Sequence, residues 1–149
     1  MKPKFAKRFE IECKPTGELV ESIKIERSCD AYDFIMKNLY KSDVNIYESA
    51  HIILMNNKNV VIGYAKIGQG AINQTLVDTR IIAKYCLDTL ACSMIFVHNH
   101  PSGDFFPSKE DDALTISLAE IGKLINVRLI DHIIVTNDNY YSYQSKGRL

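Results

Sequence analysis

Apolar positions follow two rhythms along this chain, short runs bounded by turn residues and longer stretches spaced three and four apart, which predicts strands mixed with helices. Near the start, Phe9–Lys14 and Leu19–Ile25 flank Pro15-Thr-Gly17 and suggest a hairpin. Ser28 or Asp30 can cap a helix running to about Tyr40, with Ala31, Phe34, Ile35, Met36 and Leu39 as its apolar stripe. The polar break Lys41-Ser-Asp43 divides an N-terminal extension of hairpin plus helix, residues 1–43, from a core domain, residues 44–149. Within the core, Ser49–Met55 and Val60–Ile67 read as antiparallel strands joined by a turn over Asn56-Asn-Lys-Asn59. After a loop opened by Gly68-Gln-Gly70, Asp78 or Thr79 caps a helix from about Arg80 to Leu90, in which Ile81, Ile82, Tyr85 and Cys86 recur at helical spacing.

The continuous apolar run Cys92-Ser-Met-Ile-Phe-Val97 is the strongest strand signal. Pro101, Ser102 and Gly103 break it into a loop, Pro107-Ser108 opens a helix to about Ile125, and strands over Arg128–Thr136 and Tyr140–Tyr143 close the chain around an Asn137-Asp-Asn139 turn. Short hairpin links among alternating strands and helices imply an α/β sandwich on a mixed sheet.

Candidate chemistry lies where the apolar run ends. If the strand extends to residue 100, its alternation sets His98 and His100 on one face, about 6.6 Å apart along the backbone. Two imidazoles at a strand end are a half-site for a borderline metal such as zinc. With seven residues intervening after His100 comes Ser108-Lys-Glu-Asp111, and Asp111 falls in the first turn of the following helix, from which it can point back to the histidines. Two histidines and one carboxylate leave the fourth tetrahedral position open, as catalytic zinc sites do and closed structural sites do not. Ser108 and Asp111 also spell the capping box of a helix N-terminus, and the two readings are compatible.

The pattern resembles the metal motif of JAMM (MPN+) metalloproteases: an upstream Glu, His-x-His, seven residues, Ser-x-x-Asp. The flanking segments His98-Asn-His-Pro-Ser-Gly103, Pro107-Ser108, Asp131-His-Ile-Ile-Val135, Tyr141-Ser-Tyr143 and Gly70-Ala-Ile-Asn-Gln-Thr-Leu-Val-Asp-Thr-Arg80 resemble the RadC family within that group, over roughly residues 45 to 147. Thr79 departs from the proline of many relatives, and these residues contain no helix-hairpin-helix segment. The resemblance implies a cytidine-deaminase-like α-β sandwich and His98, His100 and Asp111 as ligands of Zn2+. It also implies Glu48 as the proton-transferring base and a serine, Ser108, that hydrogen-bonds the developing oxyanion. Glu48 is the one glutamate between residues 27 and 109.

Other residues read more plainly. His132, in an apolar strand, suggests a structural residue or one that supports a ligand; Arg80 suggests a pair with an acid, and His51 a packing residue. His98-Asn99-His100 spells HNH, but HNH nucleases disperse those letters over a ββα element. Zinc nucleobase deaminases need a Pro-Cys-x-x-Cys that is absent here.

Composition changes the picture in three places. A chain of 149 residues can bury roughly 70% of its unfolded surface, enough for a core. Eighteen basic against eighteen acidic residues give no net charge, which argues against a field that draws nucleic acid; Lys2, Lys4, Lys7 and Arg8 read as a solvated basic arm. Four cysteines without a CxxC pair (Cys13, Cys29, Cys86, Cys92), no membrane-length apolar run and no signal-peptide pattern suggest free thiols in the cytoplasm. The expected function is a zinc-dependent hydrolase of a peptide or isopeptide bond with a peptide or protein substrate. The alternatives are a DNA-associated repair or mobile-element accessory and a metal-stabilised interaction module. The sequence is silent on oligomeric state.

Overall fold

The computed structural model describes residues 14–70 and 77–149. Residues 1–13, with the first arm of the expected hairpin, the basic arm and Cys13, lie outside the described residues, as does the 71–76 part of the Gly70–Arg80 segment. The expected second arm, Leu19–Ile25, does not form a strand: Lys24 makes an isolated bridge to Val60, and the Ile25 N–H donates to Asn59 O (2.9 Å). Eight elements follow in chain order: α1 (Ser28–Asn38), β1 (Ser49–Met55), β2 (Val61–Gln69), α2 (Thr79–Asp88), β3 (Ser93–Asn99), α3 (Lys109–Leu124), β4 (Arg128–Val135) and β5 (Tyr140–Ser142). The strands form one mixed sheet in the order β2-β1-β3-β4-β5, with β3 and β4 parallel and every other pair antiparallel. The parallel pair is joined through α3, the crossover such a pairing requires.

Alternation splits the core into two. Ile53, Met55, Ile95, Val97, Ile133 and Val135 face α1, which contributes Ala31, Phe34 and Ile35. Ala50, Ile52, Leu54, Met94 and Phe96 face α2 and α3, which contribute Ile82, Cys86 and Leu118. Covered on both sides, β1 and β3 are buried at every position, which is why their sequences are unbroken apolar runs rather than alternating ones. Each fully buried isoleucine or phenylalanine stabilises this sandwich by roughly 1.5–3 kcal/mol. Gly122 lets α3 lie close on the start of β4: a β-carbon there would collide with the Val127 carbonyl oxygen.

The helix starts have local causes. Asp78 caps α2 by accepting from the Arg80 N–H, and Arg80 then grips the same carboxylate through Nε and Nη2, the acid pairing expected of it. At α1 the cap is Arg27, one residue before the expected Ser28. Asp30, in the first turn, reaches back to the Arg27 N–H (2.9 Å), so it secures the helix start from inside rather than as the cap residue. Among the described residues Cys29, Cys86 and Cys92 are free thiols, and no helix is long and apolar enough to cross a membrane.

His51 points to the α1 side of β1, packed edge-on against Tyr40, with Nδ1 3.1 Å from the Tyr40 hydroxyl. That hydroxyl donates to Ser49 O, so His51 donates to it. Burial, with Lys66 adding to the effect, pushes His51 down to about 4 from its ordinary 6.5. The unfolded chain therefore takes up a proton below 6.5 that the fold refuses until about 4, and stability is lost as pH falls through that window. The loss attributable to this group is at most about 3 kcal/mol. Urea midpoints measured stepwise across the window should fall less steeply for His51→Phe than for the parent; equal slopes would mean that the buried imidazole does not titrate this way.

Candidate metal centre

His98 stands one residue before the end of β3 and His100 one residue beyond it. The strand ends at Asn99, yet the His100 N–H still donates to Val135 O of β4 (3.0 Å), so the backbone stays extended enough to keep both imidazoles on the α2/α3 side. Their Nε2 atoms lie 3.0 Å apart. The seven-residue loop then delivers Ser108 as the N-cap of α3 and Asp111 as its third residue. Asp111 Oδ1 is 3.0 Å from His98 Nε2 and Oδ2 is 3.5 Å from His100 Nε2. Thus three of the five expected site residues converge, with ligand atoms all within 4.8 Å of one another.

Ser108 forms the full capping box: its Oγ accepts from the Asp111 N–H (3.1 Å), and Asp111 Oδ2 accepts from the Ser108 N–H (2.7 Å) and hydroxyl (2.8 Å). These bonds aim the Asp111 carboxylate at the histidines. Burial alone would raise its pKa, but His100, His98 and the Ser108 N–H overcome that and hold the group far below the ordinary carboxylate range. Burial likewise disfavours protonation of His100; the Asp111 carboxylate, the Asp104 carbonyl and the charge of Glu48 reverse it, so the net shift is upward.

The charge of Glu48 is the smallest of the influences that raise the His100 pKa. Ala50 pairs with His98 in the last step of the antiparallel β1–β3 ladder, and Glu48 stands one residue before β1 as His100 stands one residue after β3. Glu48 is half-buried, and its carbonyl accepts from the Gly70 N–H (2.9 Å).

Whether these residues suit a cation is decided by where their N–H groups go. His100 Nδ1 is 2.7 Å from Asp104 O, a carbonyl that can only accept, so the proton of the neutral ring sits on Nδ1 and Nε2 carries a lone pair. His98 Nδ1 faces His132 Nε2 at 2.9 Å, which leaves its Nε2 toward the cluster as well. Two ring nitrogens and a carboxylate oxygen converge within hydrogen-bond range, a donor set that a cation between them would satisfy. A borderline divalent metal fits that set.

Reading single residues missed two supports. Asn99, between the histidines, points to the other side of β3 and is fully buried. Its Nδ2 donates to Val44 O (2.6 Å) and Tyr47 O (2.9 Å), while its Oδ1 accepts from the Ser49 N–H (2.8 Å). It therefore pins the segment that carries Glu48. The available signal was an amide inside an apolar strand, which must find partners. Thr115, one helical turn after Asp111, hydrogen-bonds His132, and only the fold brings those two together. His51, on the far side of the sheet, takes no part.

Asn99→Leu should leave two carbonyls and one N–H without this partner, lowering stability by at least roughly 3 kcal/mol at about 1–3 kcal/mol per orphaned group. The check is urea unfolding together with amide exchange, which should accelerate over residues 44–49. Parental protection of that segment in the variant would mean that something else holds it.

Comparison with known proteins accords with this geometry. Residues 25–148 match the family model described as the RadC-like JAB domain. A UPF0758 protein of Clostridium beijerinckii is 34% identical over 125 residues, 84% of this chain and 53% of that protein. UPF0758 proteins of Flavobacterium johnsoniae and Staphylococcus carnosus are 32% and 35% identical over 130 residues, each covering 87% of this chain and 56% of the relative. The chain thus spans about half the length of the curated relatives it matches. With the match reaching from the start of α1 to the residues after β5 and enclosing the whole His-His-Asp cluster, the chain belongs to the RadC-like JAB domain family.

Proposed function

We propose that this domain is a zinc-dependent hydrolase of an amide bond, in a peptide or an isopeptide. The observation that carries the reading is the convergence of His98, His100 and Asp111 with their N–H groups and spare oxygens committed elsewhere; Glu48, just before β1, is the carboxylate assigned as base. His98 Nε2, His100 Nε2 and an Asp111 oxygen would hold the ion. When bound, it would acidify water and polarise the scissile carbonyl.

The chain's own groups supply the rest. Glu48 is free of any ion pair among the described residues, and a carboxylate beside such an ion can accept a proton from the attacking water and return it to the departing amine nitrogen. Water adds to the carbonyl carbon, the C–N bond breaks, and the proton held by Glu48 leaves with the amine, so nothing further is consumed. The Ser108 hydroxyl is engaged by Asp111 Oδ2, which supports a role in aiming that carboxylate; to reach an oxyanion it would have to let go of it.

The tests separate ligand from base. Elemental analysis of metal-replete protein should find close to one equivalent of zinc, and His98→Ala, His100→Ala or Asp111→Ala should lose it together with some stability, because binding a metal is coupled to folding. Full occupancy in any of the three would mean that the ligand set is wrong. Glu48→Gln should instead keep its zinc and its stability. Its turnover of substrates found in an unbiased peptide-cleavage screen should fall by roughly 10²–10⁴-fold. Loss of metal in that variant would make Glu48 a ligand, and undiminished turnover would move the base elsewhere.

A further inference from the structure

Behind the two histidines runs a buried chain of hydrogen bonds that the hydrolytic chemistry does not itself call for. His98 Nδ1 is 2.9 Å from His132 Nε2, His132 Nδ1 is 2.6 Å from Thr115 Oγ1, and Thr115 Oγ1 is 2.7 Å from Asp111 O. His132 is fully buried, stacked at 6° on the Tyr143 ring, and among the described residues its ring makes no hydrogen bond to a carboxylate. Each link holds one hydrogen, so the direction of the whole chain is set at one end.

That end is Thr115. Its hydroxyl has a single proton, and Asp111 O, a carbonyl, can only accept it. With the proton committed there, Thr115 Oγ1 can only accept from His132, which puts the His132 proton on Nδ1 and a lone pair on Nε2. His132 Nε2 then accepts from His98 Nδ1, and the lone pair of His98 is left on Nε2, facing His100 and Asp111. Reversed, the same chain would place a proton on His98 Nε2, where it would bond Asp111 Oδ1 and block that nitrogen from any cation. We infer that Thr115 and His132 are positioning residues: together they hold His98 in the tautomer that presents Nε2 to a metal, and they tie that choice to the helix turn that presents Asp111. The inference rests on the metal reading above and names the residues that make the site competent.

Removing the hydroxyl without changing the shape is the direct test. Thr115→Val takes away both the acceptor for His132 and the donor to Asp111 O, while Thr115→Ser restores both. Titrated with zinc against a competing chelator, Thr115→Val should bind roughly 10–100-fold more weakly than the parent, the usual effect of losing a hydrogen bond behind a ligand, and Thr115→Ser should return to near the parental value. Parental zinc affinity in Thr115→Val overturns the relay and leaves the metal site standing; absence of zinc binding by the parent overturns both. A measurement on the unaltered protein guards against misfolding of the variant. Long-range proton–nitrogen correlation spectra report which ring nitrogen carries the hydrogen, and the zinc-loaded chain should show His98 and His132 both protonated on Nδ1. A proton on His132 Nε2 would refute the inference outright.

Discussion

The site depends on one constraint, the strict alternation of side chains at the carboxyl end of β3. Because that strand is buried on both sides, consecutive residues must answer to different neighbours. His98 and His100 turn toward α3, and Asn99 between them turns toward the segment before β1. A slip of one residue would exchange these roles, sending the imidazoles into the α1 core and an amide into the metal cluster. The register that prevents it is enforced on both flanks, by β1 through antiparallel pairing and by β4 through parallel pairing. The apolar content of three adjacent strands therefore decides where two polar rings end up.

The electrostatic logic follows from that placement. Polar groups are costly in such surroundings unless each has a partner, and here they are linked in series. The Asp104 carbonyl takes the His100 hydrogen; Thr115 and His132 account for that of His98; Ser108 engages one face of the Asp111 carboxylate. What is left over points inward to a single spot. A preorganised arrangement of this kind loses little freedom when its ligand arrives, since the side chains are already held by bonds to backbone and to one another.

Much of this was legible in the chain itself. The periods of the apolar residues located β1 to the residue and the other elements from α1 onward to within one or two, since buried strands and capped helices leave strong local marks, whereas the strand expected over Leu19–Ile25 is a single bridge at Lys24. His98, His100, Ser108 and Asp111 could be placed because only seven residues separate His100 at the strand end from Ser108 at the helix start, and both ends have recognisable signals. The supports were harder to see. Thr115 looks like any helical threonine until the fold brings His132 to it across seventeen positions, and Asn99 reaches Val44 across fifty-five. Partnerships at such separations are properties of the sheet order and helix packing, which spacing along the chain does not encode. The start of α1 differed for a local reason, in that an acid inside the first turn can do the work usually read from the residue before it.

The double duty of Asp111 has a consequence for how such motifs decay. Its carboxylate closes the N-terminus of α3 through Ser108 and also completes the cluster with the histidines. A lineage that ceased to need the cluster would still be selected to keep Ser-x-x-Asp, because the helix would fray without it. His100 has no comparable burden: it sits partly exposed at a strand terminus, and among the described residues its ring hydrogen-bonds only a loop carbonyl and the cluster itself. Among distant copies of this domain the serine and aspartate are thus poor witnesses to retained chemistry, and the residue at position 100 is the informative one.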